Sequence, residues 1–160
     1  MPRIEEEVRI TLSVLDRLLD FEPEVTREVP ASRMKSLRHL KQSLRRDLEW
    51  LLNTRQTREL PEELRELRNS LAAYGMPDYL SANVKSPSEQ AEMRRALEDL
   101  IRVFEPRLAD VHVSLVPARQ TERALHFRID AQLLVDPAPE PVTFDTVLQL
   151  VNGEYKVQGE

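Results

Sequence analysis

Three histidines, His39, His112 and His126, are the residues that could bind a metal ion in this sequence of 160 residues. None of them stands in the His-Glu-x-x-His spacing that places two zinc ligands on one face of a helix. His112 and His126 could face each other across neighbouring strands, but two histidines without a third ligand rarely make a zinc site. The absence of cysteine excludes disulfides, thiolate metal sites and a cysteine nucleophile. The sequence therefore predicts no metal site.

Residue patterns for phosphate binding and acyl transfer are also missing. Three glycines leave no Gly-rich phosphate-binding loop, and no Gly-x-Ser-x-Gly elbow is present. A glycoside hydrolase would need two carboxylates in a cleft, one of them with a raised pKa. Because the chain has 28 acidic residues, some pair always has a suitable spacing, so this signal decides nothing. We expect no catalytic residue, no cofactor and no enzyme activity.

The charge and hydropathy of the chain limit its partners. The formal net charge is −5, which argues against nucleic acid or an anionic membrane surface as the main partner. No stretch approaches the roughly 18 consecutive apolar residues of a transmembrane helix. The segment Met1 to Val8 carries Glu5, Glu6 and Glu7 in place of the apolar core of a signal peptide. We expect a cytoplasmic protein without direct insertion into a membrane.

One local pattern, Glu105-Pro106-Arg107, needs an explanation. Glu105 is predicted at the C-terminal end of a helix, where the negative end of the helix dipole disfavours a carboxylate. Pro106 stops the helix and lacks an N–H, and Arg107 follows with five donors in a planar fork. A carboxylate in that position tends to be held by a cation. The triplet is therefore either a helix stop with incidental charges or a built contact.

The elements that position these residues form one domain over 1–160. We expect 1–11 to be flexible, 12–109 to be helical and 110–158 to form a sheet. Apolar residues at steps of three and four predict four helices. These cover Ser13 to Asp20, Ser32 to Asn53, Pro61 to about Gly75, and Ser86 to Phe104, the last opening with the capping box Ser86-Pro87-Ser88-Glu89.

The second of these helices has the clearest pattern. Its predicted buried side consists of Met34, Leu37, Leu40, Leu44, Leu48 and Leu51. Its outer face carries only two acidic residues, Asp47 and Glu49. The basic residues of that face are Arg33, Lys35, Arg38, Lys41, Arg45 and Arg46. That face is either simply solvated or a contact surface for an acidic protein, with nucleic acid a more distant alternative.

Alternation of apolar and polar residues predicts four strands after the helices. Val111 to Leu115 and Leu125 to Leu133 give the first two, and the apolar positions from Val142 to Leu150 give the third. Asn152-Gly153 is a strong hairpin signal, and Tyr155 to Val157 forms the return strand. The Pro-rich stretch from Asp136 to Pro141 is expected to be stiff and extended. The predicted fold class is α+β, with about four N-terminal helices followed by a four-stranded, mostly antiparallel sheet ending in a hairpin.

Four segments also form an ordered set of motifs. They are Leu12 to Asp20, Ser43 to Arg55, Tyr74 to Asp78, and Phe104 to Leu108 with the strand after it. This set resembles the TssE family of type VI secretion baseplate subunits. That family belongs with the small wedge proteins of contractile phage tail baseplates, which carry a historical lysozyme-like label. A lone Glu-Pro-Arg sequence is a weak signal, whereas four motifs in the right order are a strong one.

The resemblance implies a structural subunit rather than an enzyme. It implies contacts with the wedge subunits TssF and TssG, initiation of the TssB–TssC sheath, and TssK as a further candidate partner, at the cytoplasmic face of the inner membrane. It implies that Glu105, Pro106 and Arg107 contact the helical core of the wedge. It also likens the C-terminal hairpin to the interlocking strands of sheath subunits, which makes the following residues candidates for the sheath contact: Val142, Phe144, Leu148, Leu150 and Lys156.

The expected mode of that sheath contact is strand addition. An open sheet edge offers unpaired N–H and C=O groups to a strand from another chain. We expect Phe144, Leu148 and Leu150 to pack inward and to recruit the neighbour through their backbone. Proline at Gln149 would then block the edge, and if Gln149 lies in a central strand the same test moves to Lys156.

Two other functions are left open by the sequence. The lysozyme-like label suggests an enzyme that cleaves peptidoglycan, but a wall hydrolase must cross the membrane and we find no signal peptide. The other alternative is a generic protein-binding α+β module outside secretion.

Overall fold

The computed structural model describes residue 10 and residues 13–19, 33–56, 65–77, 86–117 and 124–159. The predicted helix starts at Ser32 and Pro61 lie outside these residues. So does the N-terminal segment that we expected to be flexible, apart from Ile10, which packs against the core.

All helices that the structure describes come before the sheet, and the last ends at Phe104. α1 covers Val14–Leu18, α2 covers Arg33–Asn53, α3 covers Arg65–Arg68 and α4 covers Pro87–Phe104, with a single 3-10 turn at Leu71–Ala73. α2 and α4 bury the stripes of apolar residues that define them, including Leu44 and Leu48 on α2 and Leu97 and Ile101 on α4. Proline stands at the start of α4 as predicted, but the Ser86 side chain makes no capping hydrogen bond to the helix.

Four antiparallel strands follow in the simplest order, β1-β2-β3-β4. β1 is Leu108–Val116, β2 is Ala124–Leu133, β3 is Glu140–Gln149 and β4 is Glu154–Gly159. β1 therefore begins two residues before the expected sheet boundary. The α+β class, the helices before the sheet and the C-terminal β3–β4 hairpin are confirmed.

The hydrophobic core lies between α2, α4 and one face of the sheet. Alternate strand residues point into it, among them Val113, Phe127, Ile129 and Phe144. The opposite face is polar, and there Arg128 lies 3.2 Å from Asp145 across β2 and β3. One face is thus buried and the other solvated, as alternation along the strands predicts.

Three details differ from the sequence predictions. Met34 and Leu71, both expected on buried stripes, are 73% and 86% exposed. The third helix is interrupted after Arg68, and Leu71 lies in the separate 3-10 turn, so it no longer shares a face with Leu67. The Pro-rich stretch, expected to be extended, bends back on itself, because Leu133 and Glu140 pair directly and residues 134–139 close the β2–β3 hairpin.

α1 is turned the opposite way from the prediction. The apolar residues that should have been buried are exposed: Val14, Leu15, Leu18 and Leu19. The residue that is buried is Asp16, which is 3% exposed. A polar interaction of Asp16 with α2, described below, sets the orientation of this short helix in place of apolar packing.

Candidate functional site

Glu105 and Arg107 form a two-pronged ion pair at the end of α4. The Glu105 N–H donates to the Ile101 carbonyl at 2.8 Å, which closes the last turn of the helix. Nε and Nη2 of Arg107 donate to Oε1 and Oε2 of Glu105 at 2.7 and 2.6 Å. The backbone N–H of Arg107 donates to Oε1 as well, at 3.2 Å. The structure thus supplies the cation that a carboxylate at a helix C-terminus requires.

The pair extends across α2 into a larger cluster. Nη2 of Arg107 donates to Oδ2 of Asp47 at 2.7 Å, and Nε and Nη2 of Arg46 donate to Oδ1 of Asp47 at 3.0 and 2.8 Å. Nη2 of Arg46 also donates to Oδ1 of Asp16 on α1 at 2.9 Å. We call Asp16, Arg46, Asp47, Glu105 and Arg107 the ion-pair cluster. It joins α1, α2 and the α4–β1 junction.

Asp16 anchors one end of the ion-pair cluster. The Ser13 hydroxyl donates to Oδ2 of Asp16 at 2.6 Å, and the Asp16 N–H donates to the Ser13 hydroxyl oxygen at 3.1 Å. Burial alone would raise the pKa of the Asp16 carboxyl. Hydrogen bonds from Ser13, Ser43 and Arg46, together with the charge of Arg46, outweigh that effect and lower the pKa below its ordinary value. Asp16 is therefore charged at neutral pH although it is buried.

Tyr74 lies beside the other end of the ion-pair cluster. Burial and then the nearby carboxylates of Asp47 and Glu105 raise the pKa of its phenol. Its ring packs edge-on against Phe104, with ring centroids 5.3 Å apart. The next residue, Gly75, has φ of 107°, and a Cβ there would lie 2.4 Å from the Thr54 carbonyl oxygen. Glycine therefore allows this turn to sit directly on the end of α2.

All four segments of the sequence resemblance meet at this site. They contribute Asp16, then Arg46 and Asp47, then Tyr74, and finally Glu105 and Arg107. Sequence reasoning selected only the last segment as a site. A signal for Asp47 was present, because it lies three residues after Leu44 and four before Leu51, so a carboxylate interrupts the buried stripe of α2. No feature of the sequence indicated that Asp16 is buried, because the apolar pattern of α1 predicted that the opposite face of this helix is buried.

The three predicted wedge-contact residues differ in exposure. The side chain of Glu105 is 6% exposed and that of Arg107 is 26% exposed, whereas Pro106 is exposed. Glu105 and most of the Arg107 guanidinium are thus used inside the protein. The surface that a partner can contact here consists of Pro106 and the remaining part of Arg107.

The predicted sheath-contact residues are spread over the centre and edge of the sheet. Val142, Phe144 and Leu148 point into the core, Leu150 is half-buried in the turn, and Lys156 is exposed on β4. β3 lies between β2 and β4, and Leu148 is paired with Leu125 on one side and Tyr155 on the other. The expectation that Phe144 and Leu148 offer an open backbone edge is therefore wrong. Gln149 is likewise central, since it pairs with both Ala124 and Glu154.

The outer edge of β4 faces α2 and is closed by two of its side chains. The Asn53 amide nitrogen donates to the Tyr155 carbonyl at 2.9 Å, and the Asn53 amide oxygen accepts from the Tyr155 N–H at 2.8 Å. One helical turn earlier, Oε2 of Glu49 accepts from the Val157 N–H at 3.3 Å. Since backbone groups of an edge strand alternate in direction, those of Lys156 face β3. Proline at Lys156 would break the internal ladder, so it does not test the outer edge.

The outer edge of β1 is closed in the same way by α4. Oε1 of Glu98 accepts from the Val113 N–H at 2.8 Å, and Nη2 of Arg102 donates to the Val111 carbonyl at 3.0 Å. Both sheet edges are therefore covered by two side chains four residues apart on a helix. We call Glu49 with Asn53 the β4 cap and Glu98 with Arg102 the β1 cap. The sequence predicted an open edge with unpaired backbone groups, whereas at both edges of the sheet side chains of a helix bind backbone groups.

The described residues contain no group of three His, Asp or Glu side chains that could hold a metal ion. His112 pairs in register with Asp130, and His126 with Val116, so the two histidines do not face each other. Among the helices that the structure describes, none is long and apolar enough to cross a membrane.

Comparison with known proteins identifies the family. No curated protein matches the chain. The family described as baseplate wedge protein gp25, to which TssE belongs, matches residues 38–138. This match spans α2, α4, β1 and β2 and includes four of the five residues of the ion-pair cluster, while Asp16 and the β3–β4 hairpin lie outside it. Because the match covers more than half of the chain, this protein is a member of the baseplate wedge gp25 family.

Proposed function

We propose that this protein is the gp25-like baseplate subunit of a type VI secretion system, which joins the wedge and initiates the contractile sheath through its C-terminal strands. The observation that carries this proposal is the meeting of all four TssE-like segments at the ion-pair cluster. Asp16 lies outside the residues that match the gp25 family, yet Arg46 holds it in the same cluster. The TssE-like opening segment is thus built into the same site as four residues that lie inside the family match.

The wedge contact is assigned to the surface of the ion-pair cluster. Pro106 is exposed there, and Arg107 is positioned by Glu105 and Asp47 with part of its side chain still accessible. The Arg107 guanidinium is already held in place in the folded protein, and Pro106 is rigid. A partner that binds this surface therefore causes little further loss of side-chain entropy. The partners proposed for it are TssF and TssG, with TssK as a further candidate.

The sheath contact is assigned to the C-terminal hairpin. β4 is an edge strand, and an edge strand is where a sheet can accept a strand from the TssB–TssC sheath. Because β3 is central, the contact runs through the outer edge of β4 and not through the backbone of Phe144 or Leu148. The protein acts in the cytoplasm, at the inner-membrane face of the baseplate, and has no enzymatic role there.

The test is to delete the gene in the native cell and to purify a tagged copy from the same strain. We expect TssF and TssG to co-purify, and fluorescently labelled sheaths to be absent from the deletion strain. Normal sheaths in that strain, or a tagged chain without wedge subunits, would overturn the proposal. Release of soluble peptidoglycan fragments above a heat-killed control, abolished by changing one carboxylate, would support the peptidoglycan-cleaving alternative instead.

A further inference from the structure

The two sheet edges are closed by caps of similar design but different strength. In the β1 cap, the Glu98 side chain is 10% exposed and also accepts from Nη1 of Arg94 at 2.9 Å. Arg102 and Nδ1 of His112 lie 3.8 and 3.3 Å from the same carboxylate. Removing Glu98 from Val113 would therefore disturb several charged contacts at once.

The shape of β1 further protects its edge. The strand is irregular between Ala109 and His112, where Asp110 has φ of 51°. Two residues beyond Leu115 stands Pro117, which has no N–H to donate to an added strand. Bulges and prolines are features with which proteins prevent strand addition at an edge.

The β4 cap is held much less firmly. Asn53 is neutral and exposed, and its contact with Tyr155 consists of two ordinary hydrogen bonds. Glu49 forms no ion pair with any residue that the structure describes, and its bond to Val157 is long at 3.3 Å. The side-chain amide of Asn53 donates to and accepts from one residue of β4, as a residue of a neighbouring antiparallel strand does with its own N–H and C=O.

We propose that the β4 cap is a displaceable substitute for a strand: Asn53 and Glu49 hold the outer edge of β4 until a sheath strand takes their place. This inference rests on the proposed sheath contact and adds which edge is used and how it is kept closed beforehand. The added strand replaces the two Asn53 hydrogen bonds with two of its own, so the number of hydrogen bonds at Tyr155 is the same before and after the strand binds. Before that, the isolated protein presents no open edge at Tyr155 to a second copy of itself.

The charge beside the β4 cap indicates the chemistry of the incoming strand. Arg45 precedes Glu49 by one helical turn and lies on the same side of α2, and Lys41 and Arg38 continue that side. None of these three cations forms an ion pair with a residue in the described part of the chain, and Arg38 and Arg45 are exposed. An extended segment with acidic side chains is therefore favoured next to this edge.

The experiment uses the full chain with Asn53→Ala, and Arg102→Ala as the matched control that removes one bond of the β1 cap. Amide hydrogen exchange reports on the cap directly. We expect exchange at Tyr155 to be about tenfold faster in Asn53→Ala, the factor that corresponds to one lost hydrogen bond. Arg102→Ala should leave exchange at Tyr155 unchanged. Equal exchange in the wild type and Asn53→Ala would overturn the cap.

Binding of purified TssB–TssC subunits completes the test. Asn53→Ala should bind them several-fold more tightly than the wild type, because no cap has to be displaced, while Arg102→Ala should bind like the wild type. In the wild type, the side-chain amide signal of Asn53 should shift to that of a solvent-exposed amide on binding. Binding with this signal unchanged would refute the displaceable cap and leave the sheath role intact. No binding by any variant would instead refute the sheath role.

Discussion

Arg107 of the α4–β1 junction donates from Nη2 to Oδ2 of Asp47 on α2, 60 residues earlier in the chain, at 2.7 Å. The same nitrogen donates to Glu105 at 2.6 Å. One guanidinium thus joins the carboxylate at the end of α4 to the middle of α2. The Glu-Pro-Arg sequence is thus a brace within the fold, and the partner contact that we propose for it relies on that brace.

Loss of the guanidinium should therefore destabilise the isolated protein. Arg107→Ala leaves Glu105 and Asp47 without their shared cation, and Glu105 is buried. We expect the free energy of unfolding to fall by about 2–3 kcal/mol. Chemical denaturation followed by circular dichroism measures this. An unchanged midpoint would mean that the brace adds nothing to stability.

Pro106 separates the partner role from the internal one. Its side chain is exposed and lies outside the ion-pair cluster, so Pro106→Ala should melt within a few degrees of the wild type. If this surface contacts the wedge, the same variant should retain less TssF and TssG in a pull-down. Pro139→Ala, an exposed proline between β2 and β3 and outside the four segments, is the control and should retain normal amounts. Normal pull-down by Pro106→Ala would move the wedge contact elsewhere.

The interaction of Asp16 predicts a dependence of stability on pH. The folded state lowers the pKa of Asp16, so its stabilising effect is present above the ordinary value of 3.8 and is lost as the pH falls through the folded value. Asp16→Asn should therefore be less stable than the wild type by about 1–3 kcal/mol near pH 7. The difference should shrink steadily below about pH 4. Unfolding curves of both proteins from pH 7 to pH 2 test this, with Asp99→Asn, an exposed position on α4, as the control.

The turn at Gly75 should not tolerate a side chain. Alanine would have to adopt φ near 107° and would place its Cβ 2.4 Å from the Thr54 carbonyl oxygen. We expect Gly75→Ala to cost at least about 1–3 kcal/mol and to move Tyr74 away from the ion-pair cluster. The NMR signals of the Tyr74 ring and the melting temperature report on the two effects. A variant as stable as the wild type would show that this turn can lift off α2 without cost.

The sequence predicted the parts of the fold that repeat with a regular period. The leucines of α2 and α4, the alternation along the strands and the Asn152-Gly153 turn each report a local geometry that one stretch of chain sets by itself. The hydrogen bond from the Gly153 N–H to the Gln149 carbonyl at 2.8 Å closes that turn as expected. The same reasoning explains why Glu105 was singled out as a carboxylate that tends to be held by a cation, since helix end and charge are both local features.

What the sequence could not give is pairing between distant residues. Asp16 and Arg46 are 30 residues apart, and Asn53 and Tyr155 are 102 apart. Their types are common on surfaces, so only the packing of α1 and β4 against α2 shows that they meet. The orientation of α1 was mispredicted for the same reason. An apolar pattern predicts which face of a helix is buried, but in α1 the contact of Asp16 with the distant Arg46 sets the orientation. The central place of β3 likewise depends on strand order, which alternation does not encode.

The contact between α2 and β4 also affects how the chain is made. β4 is synthesised about a hundred residues after α2, which at ribosomal rates of roughly 5–20 residues per second is a delay of roughly 5–20 s. During that time Leu44, Leu48 and Leu52, all buried in the finished protein, lack the strand that flanks them. The hydrogen bonds that join α2 to β4 can form only after β4 has emerged. The packing of the first long helix is therefore completed by the last strand of the chain that the structure describes.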